Sequence, residues 1–272
     1  MKFRLLSLLL TVTLLACNGK TASKTTQQTT SAPTYKNKGH ELVSKMVEKV
    51  GSYNQLLTLK DVVYTLTYQT ADVKTDIVTE KYLFDGQLSY GLYKQHQRTL
   101  ADLEGPIEQG FDGQEFWLKQ NGKILNNPNY LKKVAFNRPT NFYWFTMFQK
   151  LLDPGVNYTF VGEQTINNTE YHIVKISFET NDDKPTDIYQ LYINKNTLLV
   201  DQFLFTVADY GMLETPLLMQ LQYQEIEGML LPTQRQYKKS TWDATINDGP
   251  WIHVNWSNIQ FNNQLSPVDF KK

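Results

Sequence analysis

Between Val62 and Asn262 the chain keeps returning to a two-residue alternation, and each alternating run is cut short by a turn. Val62, Tyr64, Leu66 and Tyr68 alternate with Val63, Thr65, Thr67 and Gln69. A run so rich in β-branched and aromatic residues, with one face apolar and the other mixed, reads as a half-buried strand. Ile77–Phe84 follows and ends at Asp85-Gly86; Leu88–Tyr93 comes next, and Phe111–Leu118 encloses Asp112-Gly113. Asn121-Gly122 marks another hairpin. Such pairs close hairpins because Asn, Asp and Gly tolerate the positive φ that tight turns require. Later runs are Tyr158–Gly162, Glu170–Glu179, Asp187–Ile193, Leu198–Ala208, Leu217–Glu225, Leu231–Thr241 and Trp251–Asn262, with turn residues at Asn194–Asn196 and Glu227-Gly228. The expectation is about ten antiparallel strands in meander order, which wrap into a barrel or half-barrel.

Two stretches break this pattern. From Gly39 to about Leu59 the apolar residues Leu42, Val43, Met46, Val47 and Val50 recur at intervals of three and four, one face of a helix, and Gly51 closes it. A short second turn covers Tyr53 to Leu59. In the middle, Asn126 to Pro154 shows no alternation, and Thr140–Leu152 reads as a mostly apolar helix ended by Asp153-Pro154-Gly155. The fold class is therefore mainly β (α+β), with the helices packed on one side of the sheet or plugging its mouth.

The first forty residues belong to a different kind of segment. Lys2 and Arg4 precede an apolar run from Leu5 to Leu15, too short to span ~30 Å of hydrocarbon. It reads as a processed signal peptide, Met1–Ala16. Its end, Leu14-Leu15-Ala16-Cys17, resembles the bacterial lipobox, whose Cys takes a diacylglyceryl group and becomes the acylated N-terminus. Cys17 is the only cysteine, so an internal disulfide is excluded. Two or more chains of the palmitate type, at ~0.8 kcal/mol per buried CH₂, anchor a protein stably. Asn18 to about Lys38 is rich in Thr, Ser, Gln and Lys and reads as a flexible leash. Residues 39–272 form one domain, with no internal repeat. Asn18 after the cysteine, rather than Asp, favours the outer membrane, with the domain facing the periplasm.

Charge narrows the partners. The chain has 27 Lys and Arg against 27 Asp and Glu, and losing Lys2 and Arg4 leaves the mature protein slightly acidic. Without a basic patch interleaved with aromatics, nucleic acid is not an expected partner. His40, His96, His172 and His253 are scattered, in none of the spacings that hold a metal, and no cofactor is expected. There is no Gly-x-Ser-x-Gly frame and no mature thiol free for nucleophilic chemistry, so no catalytic residue is assigned. Glu225 with Glu227, and Asp182 with Asp183, are the nearest paired acids, and both pairs read as solvated turns.

The order of these elements resembles the LolA/LolB-like superfamily of outer-membrane lipoprotein-sorting proteins and related lipoproteins. The resembling stretches run from His40 to Phe270. They are the helix from His40-Glu41-Leu42 to Gly51, feeding a strand at Val62–Tyr68; the turn Gly110-Phe111-Asp112-Gly113-Gln114-Glu115-Phe116-Trp117-Leu118; and the aromatic helix closing on Leu151–Gly155. After them come Tyr158–Glu163, Asp187–Thr197 and the tail Leu265–Phe270. The resemblance implies an incomplete β-barrel whose apolar concave face is covered by helices and holds the acyl chains of a lipid or lipoprotein. No family residue with a gating role can be matched here, so none is carried over.

The aromatic load, 16 Tyr, 14 Phe and 5 Trp, suits such a site. The candidate cavity residues are Val62, Tyr64, Leu66 and Tyr68 on one strand, Met219, Leu221 and Tyr223 on another, and Trp144, Phe145 and Phe148 on the central helix. If they line a pocket, a volume of ~300–1,000 Å³ is expected. Three readings stand at this point. One is a monomeric, membrane-tethered binder of acyl chains with Asn126–Pro154 as its lid. Another is a periplasmic hydrolase on the same scaffold, and the third an envelope interaction protein whose aromatic faces are all core.

Overall fold

The computed structural model describes residues 34–180 and 184–272. The signal peptide Met1–Ala16, Cys17, residues 18–33 of the leash, and Asp182 with Asp183 lie outside them; the end of the stretch read as leash is ordered, with Asn37 capping the first helix and Lys38 opening it. The fold is contained in Tyr35–Lys272.

Helix α1 (Lys38–Val50) begins at Asn37, whose side chain accepts a hydrogen bond from the His40 amide, and stops at Gly51, where φ is 100°. It buries Leu42, Val43, Met46, Val47 and Val50, the stripe expected from its spacing. Helix α2 (Tyr53–Leu59) follows a Ser52 cap and leads into the sheet. The first meander is β1 (Asp61–Gln69), β2 (Thr75–Leu83), β3 (Leu88–His96), β4 (Ile107–Phe111), β5 (Phe116–Gln120) and β6 (Lys123–Ile124). Helix α3 (Pro128–Lys150) connects it to the second: β7 (Val156–Ile166), β8 (Thr169–Phe178), β9 (Tyr189–Asn194), β10 (Val200–Val207), β11 (Met212–Ile226), β12 (Met229–Lys239) and β13 (Ile252–Phe261).

All thirteen strands form one antiparallel sheet in the order β6-β5-β4-β3-β2-β1-β13-β12-β11-β10-β9-β8-β7. The two meanders are joined by β13 pairing with β1, Leu66 opposite Trp256 and Tyr68 opposite Val254. The sheet does not close, because β6 and β7 are its two edges. This is the curved, incomplete barrel expected, with three more strands than the alternation suggested. The difference falls at the short β4, β5 and β6: their turns at Asp112-Gly113 and Asn121-Gly122 were legible, but runs of five, five and two residues are too brief to establish a period and be counted as separate strands. Among the described residues no helix is long and apolar enough to cross a membrane.

The central helix also departs from expectation. It starts at Pro128 rather than near Thr140 and runs through Pro139. Pro139 lacks the N–H that would reach the carbonyl of Ala135, which argues for a break on local grounds. Two features outweigh that cost. Asn127 caps the first turn, with Pro128 at a position that needs no donor. The side chain just before the proline, Arg138, is clamped into the sheet by Glu80.

Two apolar cores flank α3. One gathers α1, the end of α3 (Met147, Phe148) with its cap Leu151, and strands β7–β11; the other gathers α2, Phe142 and Phe145 of α3, and β1–β5 with Trp256. A smaller cluster, Tyr171, Ile173, Tyr192, Leu204 and Leu218, lies on the opposite face of the sheet, with Trp242 and Trp251 from the β12–β13 connection packed against it. The C-terminal tail is pinned by Asp61, which accepts from the Asn263 and Leu265 amides, and by Trp117, whose Nε1 donates to the Phe270 carbonyl at 2.8 Å.

Candidate functional site: a cavity under the central helix

The concave face is not filled by α3. A cavity of about 580 Å³ remains between the helix and the middle of the sheet, within the range of ligand pockets. Strand alternation builds its walls. Tyr64, Leu66 and Tyr68 come from β1; Ile252, Val254 and Trp256 from β13; Arg235, Tyr237 and Lys239 from β12. Leu217 and Met219 of β11, with Phe205 and Val207 of β10, complete the sheet side. The helix contributes Phe136, Asn137, Thr140, Asn141 and Trp144, one face of about two and a half turns.

Register explains which residues meet. Tyr68 stands opposite Val254, Val254 opposite Arg235, and Arg235 opposite Leu221, a row crossing four strands on one face. The alternate row, Gln69, His253, Gln236, Gln220 and Gln202, points the other way and is polar. The inner end of the cavity is closed by aromatic packing. Tyr64 is 5.1 Å from Phe145 and 5.4 Å from Trp256 between ring centroids, and its hydroxyl meets that of Tyr82. The outer end is bordered by the exposed residues Ala71, Tyr210, Lys239 and Asn247. There Phe136 of α3 touches Tyr210, in the turn before β11, edge to face at 5.5 Å. The hydroxyls of Tyr68 and Tyr237 are hydrogen-bonded across the wall.

Of the ten residues proposed from sequence, Tyr64, Leu66, Tyr68, Trp144 and Met219 line this cavity. Val62 and Phe145 pack in the core beside β1–β5. Phe148, Leu221 and Tyr223 pack in the other core, the Tyr223 hydroxyl donating to the Val200 carbonyl at 2.9 Å. Helical geometry divides Trp144 from Phe145, which point about 100° apart, while Phe148 lies on nearly the same face as Trp144 but one turn farther along, in the other core.

Arg235, the buried charge in the inward phase of β12, was not singled out from sequence. It is 5% exposed. Its Nε donates to the Pro232 carbonyl and its Nη2 to the Trp144 carbonyl, both at 3.0 Å, and its guanidinium lies 3.8 Å from the ring centre of Trp256. The Pro232 carbonyl is available because the ladder is irregular there. Gln222 pairs with Gln234 but Gln224 with Leu231, so β12 carries an extra residue at Pro232-Thr233. A bulge is where a central strand tolerates proline. Burial pulls the Arg235 pKa down to about 10, which leaves it cationic at neutral pH. A sequence signal existed: Arg235 falls in the inward phase shared with Tyr237.

The histidines stand apart from the cavity lining. His96 is tied to the Thr99 and Gly105 carbonyls at 3.1 and 2.7 Å, and His172 sits 3.1 Å from Glu163. Among the described residues no three His, Cys, Asp or Glu side chains are grouped to hold a metal ion.

Comparison with known proteins gives a fold and no family. No family model and no curated protein matches the chain. Among solved structures, a DUF1329 family protein from Desulfovibrio piger is 15% identical, covering 86% of this chain and 95% of its own, with a TM-score of 0.51. A LolA superfamily protein from Nitrosomonas europaea is 10% identical, covering 85% and 97%, with a TM-score of 0.47. The chain thus shares the fold of the Desulfovibrio protein over nearly all of that protein's length.

Proposed function

We propose that this protein is a membrane-tethered, non-enzymatic binder of acyl chains or a similar apolar ligand, a member of the LolA/LolB-like superfamily working in lipid or lipoprotein handling at the bacterial cell envelope. The observation that carries the reading is the cavity of about 580 Å³, walled mostly by aromatic and aliphatic side chains. An acyl chain entering it removes apolar surface from water at ~25 cal/mol per Å² on each side of the contact. Helix α3 is the lid, and the contact of Phe136 with Tyr210 is the place where it opens. Lipid on Cys17 and the leash behind it hold the domain near the outer membrane on the periplasmic side. The domain acts as a monomer.

The lining also supports binding over hydrolysis. Among the described residues that border the cavity there is no Asp, Glu, His, Ser or Cys. A hydrolase needs a base or nucleophile within hydrogen-bond reach of the bond it cleaves, and those residue types supply most of them.

The test is native mass spectrometry with lipid extraction on the full chain, together with uptake of a fluorescent fatty acid. The Cys17→Ala form, expected in the soluble fraction, serves for the uptake measurement. An acyl species carried through purification, and uptake reduced at least tenfold by Thr140→Trp with the melting temperature kept, are the expected results. A protein that carries no lipid and takes up no probe would overturn the binding reading. Continued membrane association of Cys17→Ala would overturn the tether.

A further inference from the structure

The charges bordering the cavity are all of one sign. Arg98, Arg235, Lys238 and Lys239 belong to its wall, and no carboxylate does among the described residues. Three of the four are exposed or turned away from the cavity. Arg98 is partly exposed and paired with Asp76 at 3.3 Å. Lys239 is exposed, and Lys238, 8% exposed, pairs with Leu218 and so turns to the opposite face, where it donates to the Asn247 carbonyl at 2.6 Å and lies 4.6 Å from the centre of the Trp251 ring. Arg235 is the exception. Its two hydrogen bonds go to neutral carbonyls, it has no ion-pair partner among the described residues, and its Nη1 has no acceptor there. A desolvated cation without a counter-ion is costly, and a pocket meant only for hydrocarbon gains nothing from it.

Building on the cavity reading, we propose that Arg235 is the seat of an oxyanion head, so that the ligand is a single-chain anionic amphiphile carrying a free carboxylate or phosphate. A guanidinium matches both groups with paired N–H donors and is weakly hydrated enough to wait in an apolar wall. The carbonyls of Pro232 and Trp144 and the face of Trp256 fix its plane beforehand, leaving Nη1 for the ligand. Ordering the site before the ligand arrives removes part of the cost of binding. The head sits inward, beside Trp256 and Trp144, and the chain runs outward past Phe205, Val207 and Phe136. An acyl chain already joined to a lipoprotein by an ester or amide has no acid to offer, so this site favours the free acid.

The experiment is displacement of an uncharged apolar probe from the Cys17→Ala full chain by four sixteen-carbon-chain ligands: palmitate, hexadecyl phosphate, hexadecanol and methyl palmitate. At least one acid is expected to bind about tenfold or more tighter than the alcohol and the ester, as a charge-assisted pair provides. The stronger of the two acids identifies the head as carboxylate or phosphate. Arg235→Met is expected to bring acid and alcohol within about threefold of each other, while Arg235→Lys, which keeps the charge but not the fork, falls between. Equal binding of acids and alcohol by the unaltered protein would overturn the head site and leave the cavity reading intact. Failure of all four to displace the probe would overturn both. Should Arg235→Met fail to fold, the acid-over-alcohol ratio of the unaltered chain and of Arg235→Lys decides the matter.

Discussion

Arg138 and Arg235 reach the concave side of the sheet from opposite partners, one from the helix above it and one from a strand within it, and both are at most 5% exposed. Their surroundings differ in kind. Arg138 meets the equally buried Glu80 through two bonds, 2.8 and 3.0 Å, and its Nη2 also reaches the Tyr93 hydroxyl at 3.1 Å. Glu80 is further held by the Asn141 amide at 2.9 Å. Burial alone would lower the Arg138 pKa, but the facing Glu80 carboxylate outweighs it and raises the value. Arg235 has burial without the carboxylate, and its pKa falls. The first arginine is closed by its carboxylate, with only its buried Nε unpartnered, and ties α3 to β2 at its proline. The second is an open one, held by carbonyls and an indole face. The difference separates a side chain that fixes where the helix lies from one that waits beneath it.

The largest effect is expected from breaking the closed unit. Arg138→Met strands the Glu80 carboxylate in the core, and losing one partner of a buried pair costs about 3–5 kcal/mol. Denaturant melts should show a loss of that size. Adding Glu80→Gln should restore more than half of it, because the stranded charge, rather than the missing contact, causes most of the loss. A double variant no better than Arg138→Met would show that the arginine acts through packing alone, and the contrast with Arg235 would weaken.

A smaller effect comes from the floor under the same side chain. A Cβ on Gly91 would lie 2.6 Å from Arg138 Nη1, so β3 needs glycine there to admit the guanidinium. Gly91→Ala is expected to destabilise by about 1–3 kcal/mol, as other overpacked sites do. Its cost should shrink in the Arg138→Met background, since contacting residues are not additive. Full additivity would mean that the strain falls elsewhere on β3.

Much of this architecture is visible in the chain as written. Period two located the long strands, because one face of each is buried against α1 or α3, and the stripe from Leu42 to Val50 located α1. What was not visible depends on distant partners. The helix across Pro139 is sustained by a carboxylate 58 residues away, and the union of the meanders rests on β1 meeting β13. The division of Trp144, Phe145 and Phe148 between cavity and core depends on how α3 is rolled, which spacing alone leaves open. Glu80 and Arg235 did leave a trace: each is a charge in the inward phase of its strand, Glu80 between Val78 and Tyr82. Alternation read only for apolar residues passes over such positions, although a charge in that phase must be paired or used.

The smallest change, and the sharpest test of the contrast, is expected from Arg235→Met. Removing this side chain strands no charge. It leaves two neutral carbonyls, Pro232 and Trp144, beside a cavity where water can reach them. It also ends the cost of holding an unpaired cation out of water, while methionine keeps apolar contact with Trp256. These terms oppose one another, so the net shift in unfolding free energy should stay within about 1 kcal/mol of zero, well below that for Arg138→Met. A loss as large as that of the paired arginine would mean that the bond to Trp144 holds α3 against the sheet, and that Arg235 is a second strut. A shift near zero would leave the protein's own stability without a reason for the charge.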